Sequence, residues 1–210
     1  MGTSSNFGNM LSMALASIAL PVLPLLPLQI LLNNLLYDLS EIGIPFDGTD
    51  DEAAARPQAW SMHDILRFTL IMGLISSLFD AGTFAVLLKV FEADAATFQT
   101  GWFTESIATQ ILVIIVIRSR RPPWLASLPN VMLVASSLGA LAVAIFLALG
   151  PLRSIFGFAP LSPVMIAAIA LITSGYLAAA EFGKRLALRR DFLHRDKDMP
   201  ARHRPVTVDS

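Results

Sequence analysis

Residues 131–149, VMLVASSLGALAVAIFLAL, contain no charged side chain, and that run constrains the chain more than any other feature. About 20 consecutive apolar residues are what a helix needs to cross the hydrocarbon layer of a bilayer. The run is long and does not alternate, so it reads as a helical span rather than a barrel strand. Comparable runs lie at 67–90, 98–117 and 162–180, the first interrupted by Asp80 and the second by Glu105 and Gln110. From 10 to 36 there is again no charge, but Pro21, Pro24 and Pro27 fall inside. Each proline removes a backbone donor and clashes one turn back. This region therefore predicts a helix ending near Leu20, a proline-rich turn, and a second helix to about Ser40. The first helix is short for a full span.

The expected fold class is thus all-α: a multi-spanning transmembrane bundle of about five full spans plus a truncated first helix. Composition agrees, with 55% hydrophobic residues, 15% charged and a mean hydropathy of +0.65; soluble domains carry about 25% charged residues. No basic residue precedes the first apolar run, so a signal peptide is not expected. Cysteine is absent, which excludes disulfides, thiolate metal sites and a cysteine nucleophile. Glycine loops for phosphate, G-x-S-x-G and H-E-x-x-H are also missing, so soluble-enzyme chemistry has no support. The basic residues of the tail alternate with Asp191, Asp196 and Asp198, which argues against a nucleic-acid partner and leaves membrane lipid as the surrounding medium.

Lysine and arginine in short flanks set orientation. Arg118, Arg120 and Arg121 mark one cytoplasmic loop, and Lys184, Arg185, Arg189 and Arg190 mark a cytoplasmic tail. The loops at 91–98 and 150–160 offer only Arg153 and fall outside. Counting back, the acidic, Pro- and Gly-containing loop 41–66 is cytoplasmic, and the first helix enters from that side. The expected location is the cytoplasmic (inner) membrane.

Polar side chains inside such spans are costly and default to functional candidates. Asn34 and Asp38, at i and i+4, share one helix face. Asn6 and Asn9, at i and i+3, share a face of the preceding helix. If the two helices pack as a hairpin, three amides and one carboxylate converge. An all-oxygen set suits a hard cation, Mg²⁺ or Ca²⁺, and a single carboxylate implies retained waters, as Mg²⁺ prefers. The bland alternatives are interhelical hydrogen bonds for the asparagines and an interfacial acid for Asp38. Proline-broken helices that line a cavity favour the ion reading. Asp80, beside Ser76, Ser77 and Thr83, reads as an ion-path carboxylate or, with slight preference, a hydrogen-bonded structural acid. Glu105 is expected near the outer interface, with an entry or exit role open to it. Both join the metal candidates as outlying members. Glu181 reads as part of an interfacial charge cluster with Lys184 and Arg185. His63, His194 and His203 lie in polar segments without metal-ligand spacing.

The strings SSNFGN (4–9), LLNNLLYDLS (31–40) and IPFD (44–47) together resemble the cation-transporting P-type ATPases at their fifth and sixth membrane helices. SLFD (77–80) and QTGWFTE (99–105) are similar to the bacterial magnesium-transporting subgroup. The likeness extends to about residue 190. It implies cation-binding roles for Asn6, Asn9, Asn34 and Asp38, with Mg²⁺ as the transported ion. It also implies that loop 41–66 touches a phosphorylation domain, and it divides the chain accordingly. Residues 1–40 would be the end of the fifth helix and all of the sixth, 67–190 four further membrane helices, and 191–210 a polar tail. The phosphorylated D-K-T-G-T motif is absent from these 210 residues, as are nucleotide-binding and actuator regions. ATP would bind parts of a pump that lie elsewhere, those parts are the expected partners, and no ATP hydrolysis is expected from this chain alone. The expectation is therefore a fragment of a pump. The alternative is a free-standing channel, carrier or membrane partner subunit.

Overall fold

The computed structural model describes residues 2–20, 23–48, 62–118 and 128–195. Six α-helices follow in order: α1 Gly2–Ala19, α2 Pro27–Glu41, α3 Met62–Ala85, α4 Ala95–Ile117, α5 Val131–Leu149 and α6 Pro163–Arg195. A π-helical turn, Val86–Val90, continues α3, and 3₁₀ turns occupy Ile44–Phe46 and Arg153–Phe156. Among the described residues there is no strand. Among the described residues four stretches are long and apolar enough to cross a membrane: Ile65–Val90, Ala95–Ile117, Val131–Leu149 and Pro163–Lys184. The chain is an all-α membrane helix bundle.

The second helix falls short of the full span expected of it. Pro27 sits at its first turn, where a missing N–H costs nothing, so α2 begins there and holds 15 residues. At about 1.5 Å per residue it reaches roughly 22 Å, less than the ~30 Å hydrocarbon layer. The apolar part of α1, Gly8–Ile18, is shorter still, as expected. Most of the acidic loop 41–66 (residues 49–61) and the tail beyond Arg195 lie outside the described residues. Helix α6 itself continues through Arg195, past the expected end near Ala180.

The core forms around α4, which packs against α2, α3, α5 and α6. Its Phe98, Trp102, Phe103, Ile107 and Ile111 are fully buried. The Trp102 ring meets Phe84 of α3 edge-on, with centroids 4.9 Å apart. Three threonines on α4 satisfy their own hydroxyls by bonding one turn back: Thr100 to Ala96, Thr104 to Thr100 and Thr109 to Glu105. That leaves the amide and carboxyl side chains of the helix for its neighbours.

Helices α1 and α2 do not pair as the expected hairpin: α1 packs on α3, and α2 on α5 and α4. Small residues decide both contacts. A Cβ on Gly8 would sit 2.9 Å from Ser76 Cβ, so only glycine lets α1 approach α3 this closely. At the other contact a Cβ on Gly43 would lie 2.3 Å from Leu133 Cα, which seats the end of α2 on the first turn of α5.

Both ends of the bundle are knit by polar groups. At the end expected outside, Gln99 Nε2 donates to Leu23 O (2.8 Å) and Gln29 Nε2 to Phe156 O (3.1 Å). At the opposite end Asp47 accepts from Arg118 (2.7 Å) and from the backbone N–H of Asn130, the N-cap of α5 (2.8 Å). Ser136 and Ser137 of α5 donate to Ser40 O. Lys184, almost fully buried, donates to Val116 O on the last turn of α4 and pairs with Glu181 at 2.6 Å.

Candidate cation site

Asn9 of α1 and Asn34 and Asp38 of α2, three of the four principal candidates, line one cavity of about 270 Å³ together with Met10. The helical periodicity that places Asn34 and Asp38 on one face is what brings them there. The cavity lies where α1 and α2 diverge, and it is open: Asn34 and Asp38 are exposed, whereas Asn9 is buried. A water molecule takes about 30 Å³, so the space admits a cation with several of its waters. The polar lining is two amides and a carboxylate, a set of oxygen donors with one formal negative charge. Among the described residues no three His, Cys, Asp or Glu gather as a denser metal cluster. Asn6 lies one turn before Asn9 on α1, but its side chain is outside the described residues.

Asp80 and Glu105 occupy a separate place in the bundle. Asp80 Oδ2 accepts from Ser12 of α1 (2.5 Å) and Oδ1 from Trp102 Nε1 of α4 (2.9 Å). This agrees with the hydrogen-bonded reading of that acid. Glu105 is not at the outer interface: α4 begins at Ala95 rather than Phe98, and Glu105 stands near its middle, 1% exposed. Its Oε2 has no hydrogen-bond partner among the described residues. Neither acid lines the cavity.

Behind Asn9 runs a row of neutral side chains. Ser106 Oγ donates to Asn9 Oδ1 (3.2 Å), Gln110 Nε2 donates to Ser106 Oγ (2.6 Å), and Asn33 Nδ2 donates to Gln110 Oε1 (3.4 Å). All four are buried. Sequence reasoning singles out neither Ser12 nor Ser106. The available signal is spacing: Ser12 is one turn beyond Asn9, and Ser106 and Gln110 are at i and i+4 on the most polar span.

Residues 22–186 match the family model described as "Cation transporting ATPase, C-terminus". The chain belongs to this family. Among its curated relatives is the "Magnesium-transporting ATPase, P-type 1" of Escherichia coli K12, 39% identical over 194 residues, which are 90% of this chain and 22% of that protein. Proteins of the same name from Salmonella typhimurium LT2 are 39% and 34% identical over the same length, again 90% of this chain and 22% and 21% of theirs. The chain thus spans about a fifth of the length of the relatives it matches. The matched residues thus make the chain a cation transporting ATPase C-terminal region rather than an unrelated channel.

Proposed function

We propose that the chain forms the C-terminal membrane part of an ATP-driven Mg²⁺ transporter and supplies Asn9, Asn34 and Asp38, with Asn6 beside them, to its cation path. The carrying observation is the cavity between α1 and α2, lined by the Asn34/Asp38 pair of one helix and by Asn9 of the other. Asp38 supplies the charge, and the amides supply neutral oxygens that replace part of the hydration shell. Mg²⁺ dehydrates reluctantly and is bound through one or two carboxylates with several waters kept, which suits one acid in a roomy cavity. The relatives' names support magnesium as cargo.

Transport against a gradient needs phosphoryl transfer, and the 210 residues hold no D-K-T-G-T. That chemistry belongs to other parts of the pump, and loop 41–66, on the cytoplasmic side with the C-terminal tail, is the segment that meets them. The open side of the cavity, on a helix that also exposes Leu31 and Leu35, is a face that further membrane-embedded parts of the pump would cover. The test is calorimetric titration of the full chain in lipid nanodiscs with Mg²⁺. Wild type gives saturable binding and Asp38→Asn loses it; binding by that variant at wild-type strength overturns the reading.

A further inference from the structure

We infer that Ser106, on α4 and away from the cavity lining, sets the preference of the cavity for Mg²⁺ over Ca²⁺ by fixing the Asn9 carbonyl oxygen. The inference rests on the cation reading above and names a residue that positions a ligand without being one. A hydroxyl carries a single proton. Gln110 Nε2 occupies a lone pair of Ser106 Oγ at 2.6 Å, so the Ser106 proton goes to Asn9 Oδ1 at 3.2 Å. Asn33 Nδ2 on Gln110 Oε1 fixes the Gln110 amide, and each donor in the row bonds the next residue along, ending at the Asn9 carbonyl. Asn9, a residue of the cavity lining, therefore has its side-chain amide held from behind by a buried row drawn from α4 and α2.

The other two polar lining residues have no such support. Asn34 and Asp38 are exposed and make no side-chain hydrogen bond among the described residues. The cavity thus joins one fixed oxygen to two adjustable groups. Mg²⁺ requires near-octahedral ligands at about 2.0–2.1 Å, whereas Ca²⁺ accepts six to eight oxygens at about 2.3–2.6 Å in irregular shells. A fixed ligand favours the stricter ion, and loosening it penalises Mg²⁺ more. Partners that orient a metal ligand typically change affinity by about 10–100-fold when removed.

The test titrates the full chain in nanodiscs with Mg²⁺ and, separately, with Ca²⁺. Ser106→Ala is expected to weaken Mg²⁺ binding roughly tenfold and Ca²⁺ binding by no more than about twofold. Ser106→Thr, which keeps the hydroxyl, is expected to restore the wild-type ratio. Gln110→Met, which leaves the Ser106 proton undirected, shifts the ratio the same way and carries the test if Ser106→Ala does not fold. Equal losses for both ions, an unchanged ratio, or tighter Mg²⁺ binding in Ser106→Ala overturns the inference. If Asp38→Asn abolishes Mg²⁺ binding while Ser106→Ala keeps the wild-type ratio, this inference alone fails. Wild-type Mg²⁺ binding by Asp38→Asn instead removes the cation reading on which it stands.

Discussion

Helices α2 and α4 both carry carboxyl and amide side chains within apolar stretches, yet the two spend them differently. On α4 nearly every polar group is consumed by the bundle: Gln99 by Leu23, Trp102 by Asp80, and Ser106 and Gln110 by each other and by Asn9 and Asn33. On α2, Gln29 and Asn33 face inward and are bonded, while Asn34 and Asp38 face outward and are not. A polar side chain in a span is stabilising when its partner is inside the fold. Asn34 and Asp38, without such a partner among the described residues, are the groups the proposed cation path would use.

The comparison can be broken most directly at Asp80. Asp80→Ala strands two buried donors, Ser12 Oγ and Trp102 Nε1, each costing about 1–3 kcal/mol. The expected loss is about 3 kcal/mol or more, read as chemical unfolding in detergent micelles; a loss under about 1 kcal/mol would make this acid as dispensable to the fold as Asp38. Next is Asp47→Ala, which leaves Arg118 and the Asn130 N–H without that carboxylate. A hydrogen bond to a charged group is worth about 1.5–3 kcal/mol, so unfolding measured the same way should fall by about 2 kcal/mol.

A smaller effect is expected at Asp94, the N-cap of α4, which accepts from the Thr97 backbone N–H at 3.1 Å. Bonding to the Thr97 side chain and backbone holds this carboxyl below its ordinary value. A lowered value means the stabilisation is present above the unfolded-state pKa and fades as pH falls through the folded one. Asp94→Ala should cost about 1 kcal/mol near neutral pH, and the difference from wild type should shrink in acid. The smallest effects belong to Asn34→Ala and Asp38→Ala, expected within about 0.5 kcal/mol of wild-type stability. A large loss at either would show that the fold does depend on them.

What the sequence made legible was local. The spans follow from runs of apolar residues, and the Asn34/Asp38 face follows from helical periodicity, which needs no knowledge of neighbours. Pairing was not legible. Whether α1 lies on α2 or α3 depends on where glycines permit close approach, and Gly8 against Ser76 and Gly43 against Leu133 are facts of packing. Glu105 was misplaced for a simpler reason: a helix start set three residues late put the acid near the span's outer end, whereas it lies at mid-helix and is buried. Ser106 is invisible for a third reason. A serine in a span has no signature until the amide it holds has been brought beside it.

Asp47 bears on how the bundle would take a mechanical load. One of its oxygens is tied to Arg118, the C-cap of α4, and the other to the cap of α5, just after the 3₁₀ turn that closes α2. A pull applied to the loop beyond residue 48 therefore cannot simply unravel the end of α2. It arrives at three helix ends together and tilts them as a unit, with the single carboxylate as the rivet.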